Sequence, residues 1–342
     1  MTLTAADIAA ADRRISAHIS ETPLLHSNRL NRALGADLYF KAECLQRTGS
    51  FKIRGALNRL LQLSDDERRR GVIAWSSGNH AQGVAAAAAQ VGTPAVIVMP
   101  HDAPHIKRTN TESFGATVVG YDRAGQDREA IARHIAAERG LVVVPSYDDE
   151  AVIAGQGTLG LEITRQARTQ NVKLDALMAP VSGGGLIAGT GLAAKSLWPE
   201  CELIGVEPNG FDDHRRTQMT GARAVNASAG PALCDALLAT TPGRLTWAIN
   251  RDYVDRFFSV DDDAVSAAMA ILSVTFGLVV EPSGAVGLAA ILRNRDHFRG
   301  RRVGIVLSGG NADETIMNKC LATGATIASQ MLNQSDLLLL RE

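Results

Sequence analysis

From Asp37 to the last third of the chain, short β-type runs alternate with longer helical ones, and this alternation restricts the fold more than any other feature. DLYFKAE, GVIAWSS, PAVIVMP, ATVVGYD, LVVVPS, LDALMAPVS, CELIGVEP and RRVGIVLSGG read as strands. Helical stretches lie between them: one from Gly55, one through HAQGVAAAAAQVG, one from Pro104, one from Gln126 to Arg139, and one through GGGLIAGTGLAAKSLW. Strand followed by helix, repeated, gives parallel sheets with helices on their faces. The 342 residues exceed one typical hydrophobic core and suffice for two, so two α/β lobes are expected. A smaller lobe is placed at residues 71–148, and a larger one is built from 1–70 and 149–342. Thr4 sets a capping hydroxyl ahead of AADIAAADRRISAHI, where apolar residues recur at helical spacing, so the chain opens with a helix. The ending SDLLLLRE is read as a terminal helix or a partner contact.

Composition narrows the function classes. Thirty-five Lys+Arg against thirty-six Asp+Glu leave a net charge of -1, which offers no general attraction for a polyanion and argues against nucleic acid as a partner. No apolar run approaches the length of a bilayer span, and MTLTAADIAAADRRISAHI lacks a basic region followed by an apolar core. A soluble, cytoplasmic protein is expected. Cys44, Cys201, Cys234 and Cys320 form no CxxC pair, which argues against a disulfide framework or a thiolate zinc site and makes them small buried residues.

Three stretches carry chemistry. Ser182 to Gly185, SGGG, follows a strand and precedes a helix, where consecutive glycines let backbone N–H groups converge on an anion such as a phosphate. The alternative there is a tight turn that needs glycine only for its dihedrals. Gly189, Gly191 and Ala194 spell GxGxxA, and Glu207 ends the next strand, as a dinucleotide fingerprint asks. The turn is already supplied by Gly183–Gly185, however, which puts GTGLAA inside the helix as a packing surface and leaves a nicotinamide dehydrogenase as the alternative. In WSSGNHAQG, Ser76, Ser77, Asn79 and His80 are compact hydrogen-bonding groups at a helix start, an apt cradle for a carboxylate. No GxSxG elbow is present, so a hydrolase triad is disfavoured, and His80 also fits an ordinary helix-start residue. In TGSFKIRGA, Lys52 lies between an aromatic residue and an arginine, and reads either as a surface turn or as a placed amine.

Together these stretches resemble the fold-type II enzymes that use pyridoxal phosphate, specifically the threonine/serine dehydratase and serine racemase branch. The resemblance runs from ETPL through KAECLQRTGSFKIRGA, SSGNHAQG, AVIAGQGT, PVSGGGLI, GVEP and EPSGAVGLAA to VLSGGN. It implies an α/β fold of two domains, tryptophan synthase β-like, with no regulatory module. It implies that Lys52 carries the cofactor, a task suited to an amine that loses its charge readily when desolvated. It further implies that Phe51 flanks the ring, Asn79 bonds the 3′-oxygen, Gly183, Gly184, Gly185 and Leu186 hold the phosphate, and Ser308 faces the pyridine nitrogen. A neutral hydroxyl there makes the cofactor a weaker electron sink than a carboxylate would, which favours β-elimination to a 2-oxo acid and ammonia.

By the same resemblance Lys52 is the base on one face and Ser77 stands on the other. L-Threonine and L-serine are the default substrates, with serine racemisation as a second activity. Arg128, with His80, could hold a β-carboxylate, which brings 3-hydroxyaspartate into the range. Glu207, the Phe211 carbonyl and Asp213 match metal ligands of the racemase-like branch, which implies a structural divalent cation: magnesium, with calcium or manganese as alternatives. The rival for that stretch is a solvated acidic turn. A homo-oligomer, dimer or tetramer, is expected, and a catalytically silent binding protein is disfavoured by the presence of Lys52, Ser77, Asn79 and Ser308.

Overall fold

The computed structural model describes residues 3–103, 105–227 and 232–332. SDLLLLRE lies outside them. The strands are β1 Leu24–His26, β2 Asp37–Ala42, β3 Val72–Trp75, β4 Ala95–Pro100, β5 Thr117–Tyr121, β6 Val142–Val143, β7 Ala176–Pro180, β8 Glu202–Pro208, β9 Arg256–Val260 and β10 Arg302–Leu307. They form two sheets, one of six strands in the order β1-β2-β10-β7-β8-β9 and one of four in the order β5-β4-β3-β6. Every pairing is parallel except β1 with β2. This is the two-sheet α/β architecture that strand–helix alternation demands, because a parallel crossover needs a helix to return the chain. Among the described residues no helix is long and apolar enough to cross a membrane.

Local chemistry agrees with these elements. Thr4 caps the opening Ala5–Ile15 helix, and Asp7 answers with its carboxylate to complete a capping box. All four cysteines are buried and free. The helix expected from Gly55 spans Lys52–Leu60, so Lys52 opens it. Its Ile53, Ala56 and Leu57 share one apolar cluster with Val72 and Ala74 of β3 and with alanines of the Asn79–Val91 helix. Helices Glu150–Thr169 and Gly185–Leu197 pack against each other backbone to backbone. A side chain at Gly189 would strike the Ile153 carbonyl and Gly157, and one at Gly191 would strike Leu203. GTGLAA is therefore a packing surface inside a helix, and both oxygens of buried Glu207 accept backbone N–H groups, from His214 and Arg215. Neither feature is free for a dinucleotide.

Behind Lys52 lies a buried ionic network. Arg54 donates through Nε and Nη2 to both Glu43 oxygens (2.7 and 2.8 Å) and through Nη1 and Nη2 to both Glu162 oxygens (2.7 and 2.8 Å). Lys41 of β2 donates to Glu162 at 2.7 Å and to the Thr22 carbonyl at 2.6 Å. These side chains have almost no exposure, so each charge is matched inside the protein rather than by water. The network ties the Lys52–Leu60 helix to the six-stranded sheet through β2.

Candidate active site

Two glycine-bearing loops meet at the Lys52 helix. Phe51 donates its N–H to the Ser308 carbonyl at 3.1 Å, Ser50 bridges Gly309, and the Gly310 N–H reaches Gly49. TGSF and SGGN thus lie side by side. Asn311 spans them, donating to the Thr48 carbonyl and, at 2.7 Å, to Asn79 Oδ1. Asn79 donates in turn to Glu281 at 2.6 Å, so both ends of its amide are held, with one Nδ2 hydrogen to spare. Burial, then the charge of Asp235, pushes buried Glu281 up to about 7.

The Lys52 amine donates to the Ser146 carbonyl at 2.9 Å and lies 5.1 Å from the Phe51 ring centroid. Desolvation pulls its pKa down to about 8, opposed by Glu281. Around neutrality a substantial neutral fraction is within reach, which is what a nucleophilic amine requires. The next residue after Ser146, Tyr147, places its ring where a Gly183 side chain would be, and Asp148 accepts the N–H groups of Arg244, Leu245 and Thr246 at the start of the Arg244–Tyr253 helix. One three-residue segment therefore joins the Lys52 amine to the glycine loop.

That loop takes a backbone shape suited to glycine. Gly184 caps the Gly185–Leu197 helix at φ +94°, a left-handed geometry suited to glycine, and Ser182 precedes it at φ +95°. Thr246 Oγ1 donates to the Gly183 carbonyl (2.5 Å) and Asn250 to the Gly184 carbonyl (3.2 Å), turning the loop's oxygens away. The first-turn N–H groups, from Gly185 and Leu186 onward, have no intrahelical acceptor and face outward at the positive end of the helix.

Ser76 accepts the Gly78 N–H at 3.2 Å, while the half-buried Ser77 hydroxyl makes no hydrogen bond among the described residues. Buried Ser308 likewise leaves its hydroxyl unbonded. His80 is buried, and its Nε2 lies 2.9 Å from the Val144 carbonyl, which fixes the proton on Nε2. Burial, then the charge of Lys52, pushes it down to about 3, so it is neutral, with Nδ1 as an unpaired acceptor. In that tautomer it has no proton to offer a substrate carboxylate. Arg128 opens the exposed start of the Arg128–Arg139 helix, and its charge acts on the Tyr147 phenol, whose pKa is raised mainly by burial.

Glu207 at the end of β8 and Asp213 at the start of the Asp213–Thr220 helix come together with His214, all three buried. Burial, then the charge of Glu207, pushes Asp213 up to about 6. Phe211 lies on the connecting turn with its N–H bonded to the Pro208 carbonyl. Sequence reasoning did not single out Glu281, Asn311, Ser146, Tyr147, Asp148, Thr246, Asn250 or His214. Glu281 and Asn311 sit inside motifs already quoted; Ser146 and Asp148 contribute a carbonyl and a cap, which carry no signature at a distance.

Residues 15–309 match the family model described as pyridoxal-phosphate dependent enzyme. The L-threo-3-hydroxyaspartate ammonia-lyase of Saccharomyces cerevisiae is 43% identical over 310 residues, 91% of this chain and 94% of that protein. The crystal structure of a threonine deaminase from T.th. superposes with a TM-score of 0.86 at 41% identity, covering 91% of this chain and 99% of that one. Maize serine racemase superposes at 0.87 with 36% identity, covering 94% and 98%. With its lysine, glycine loop and paired TGSF and SGGN segments set in this fold, the chain belongs to the pyridoxal-phosphate dependent enzyme family.

Proposed function

We propose that this protein is an ammonia-lyase that removes water from a β-hydroxy amino acid and releases a 2-oxo acid and ammonia. The observation that carries the reading is the Lys52 amine, desolvated and bonded to Ser146, one residue from the Tyr147 ring that lies on the glycine loop. The residues fit pyridoxal phosphate: a Gly183 or Gly184 side chain would have no room, and the first-turn N–H groups beside them suit a phosphate. Bound there, the cofactor supplies an electron sink for the carbon that bears the substrate's amino group. Gly183, Gly184, Gly185 and Leu186 would hold its phosphate, Lys52 its aldehyde carbon, Phe51 one ring face, Asn79 its 3′-oxygen, and the Ser308 hydroxyl its pyridine nitrogen. Ser76, Ser77 and the backbone N–H of Asn79 would receive the substrate carboxylate, and the Lys52 amine, freed when the substrate's own amine takes its place, would accept the α-proton. Two domains cooperate in this, 71–148 on one side and 1–70 with 149–342 on the other.

Among substrates, L-threo-3-hydroxyaspartate now stands first, ahead of L-threonine and L-serine. Arg128, an exposed residue whose charge acts on the Tyr147 phenol, would receive a second carboxylate, and the 43% identical relative is named for that amino acid. The test is a panel of these three, scored by 2-oxo acid release. The specificity constant for 3-hydroxyaspartate should exceed that for threonine, and Arg128→Ala should reduce the former selectively. Equal constants in the parent, or equal losses in the variant, would remove the second carboxylate from the reading. Racemisation of serine is the second reading, favoured by the unbonded Ser77 hydroxyl and by the likeness to maize serine racemase.

Two further parts belong to the proposal. Glu207, Asp213 and the Phe211 carbonyl would hold a divalent cation, which would stabilise the loop beside the phosphate; chelation should lower activity and thermal stability together. The enzyme is a cytoplasmic homo-oligomer, a dimer or tetramer; exposed Leu45, Val274 and Val279 support the oligomer, and sedimentation checks its size.

A further inference from the structure

Glu207, Asp213 and His214 offer one donor atom each within 4.8 Å of one another, and all three side chains are shut off from solvent. His214 Nδ1 lies 3.5 Å from Glu207 Oε1 and 3.7 Å from Asp213 Oδ2. Asp213 Oδ2 and His214 Nδ1 nonetheless have no hydrogen-bond partner. Two unpaired buried polar atoms that face each other are costly unless something satisfies both. A proton on the imidazole would serve one neighbour, whereas a cation serves all three. Donors held at roughly 2.0–2.2 Å by one ion sit about 3.4 Å apart at tetrahedral corners, close to the spacings found here.

The remaining contacts prepare each donor. Glu207 is fixed by the N–H groups of His214 and Arg215, and Asp213 Oδ1 by Asn226 at 2.8 Å, which leaves Asp213 Oδ2 without a partner. The far nitrogen, His214 Nε2, lies 3.5 Å from the Asn250 amide, whose Oδ1 is unpaired. Ligation through Nδ1 requires a proton on Nε2; the Asn250 atom that faces it is Nδ2, itself a donor, so the amide must turn to present its unpaired Oδ1. A side chain built at Gly184 would meet Nε2 at 2.7 Å, so the imidazole stands between the acids and the glycine loop.

We infer that His214 is a ligand of the cation site, and that its nitrogen makes the site select a borderline first-row ion, Zn2+ or Mn2+, over Mg2+ or Ca2+. The inference rests on the cation reading above and sharpens it. Oxygen-only sites suit Mg2+ and Ca2+, whereas one imidazole with two carboxylates shifts preference toward ions that bind nitrogen.

The test uses chelator-treated protein that retains its cofactor, titrated calorimetrically with Zn2+, Mn2+, Mg2+ and Ca2+. One Zn2+ should bind at least about tenfold more tightly than Mg2+. His214→Ala should lose on the order of 100-fold in Zn2+ affinity while changing Mg2+ affinity far less. Since the imidazole is buried and the variant could fold poorly, a second measurement uses the parent alone. Electron spin echo modulation of the Mn2+-loaded protein should carry imidazole nitrogen couplings. Mn2+ bound without them, or an unchanged ion preference in a folded His214→Ala, overturns the His214 assignment and leaves a carboxylate cation site standing. Binding of no ion, with a parent indifferent to chelator, overturns both.

Discussion

Lys52 titrates in the folded chain near 8, well below its ordinary 10.5, because burial disfavours the charged amine. Between those values the unfolded chain holds more protons at this position than the folded one, so stability of the cofactor-free protein should rise with pH from about 8 to 10.5. Below 8 the folded state carries the buried charge at full cost. Lys52→Met, freed of that charge, should show its largest gain in urea midpoint at pH 6–7 and little gain above pH 10. The same variant should gain no visible absorbance from pyridoxal phosphate. A pH-independent difference between the two proteins would mean that the amine is solvated. At Ser77, loss of the hydroxyl in Ser77→Ala should suppress D-serine formation from L-serine more than pyruvate formation, since inversion needs a proton donor opposite Lys52. Equal losses would make Ser77 a carboxylate-binding group only. Lys52 and Ser77 were both visible in the sequence as members of motifs. Ser146, which holds the amine, was not, because it acts through a backbone carbonyl that any residue could supply.

The element that carries Lys52 is anchored by charge as well as by apolar packing. Arg54 lies two residues on, with its guanidinium shared between Glu43 and Glu162. Arg54→Met would leave Glu162 with Lys41 and Glu43 with the Thr22 hydroxyl as their remaining donors, and the denaturation midpoint should fall by the equivalent of about 3–5 kcal/mol. A loss under about 1 kcal/mol would mean that water replaces the guanidinium. The sequence marked the helix but began it at Gly55, three residues late, since the Gly-containing FKIRGA obscures a start that the contacts of Phe51 with the SGGN loop impose. GTGLAA was legible as a packing surface, because the glycine turn preceding it already met the need of a strand-to-helix junction.

Across the whole molecule, the proposed cofactor contacts come from both sheets: Asn79 from the helix after β3, and Gly183 to Leu186 and Ser308 from beyond β7 and β10. Binding that bridges them should stabilise the folded chain as one unit. Pyridoxal phosphate at a hundred times its dissociation constant should add about 2.7 kcal/mol, read as a single cooperative rise in melting temperature. A rise confined to one of two separate transitions would mean that the cofactor is held from one side alone.

The sequence by itself determined the fold class and eight of the ten described strands, missing β1 and β9, since strand–helix alternation leaves parallel sheets as the way to bury both faces of such strands. It also marked Lys52, the SGGG turn and the acids Glu207 and Asp213, residue types that carry chemistry at fixed spacing. Only the tertiary structure decided that Tyr147 lies on the glycine loop, that Asp148 caps a helix some hundred residues on, and that His214 joins Glu207 and Asp213. Those relations run between segments far apart in the chain, through ring faces, carbonyls and shared burial. Sequence pattern records the neighbours along the chain; exclusion of water selects the neighbours across it.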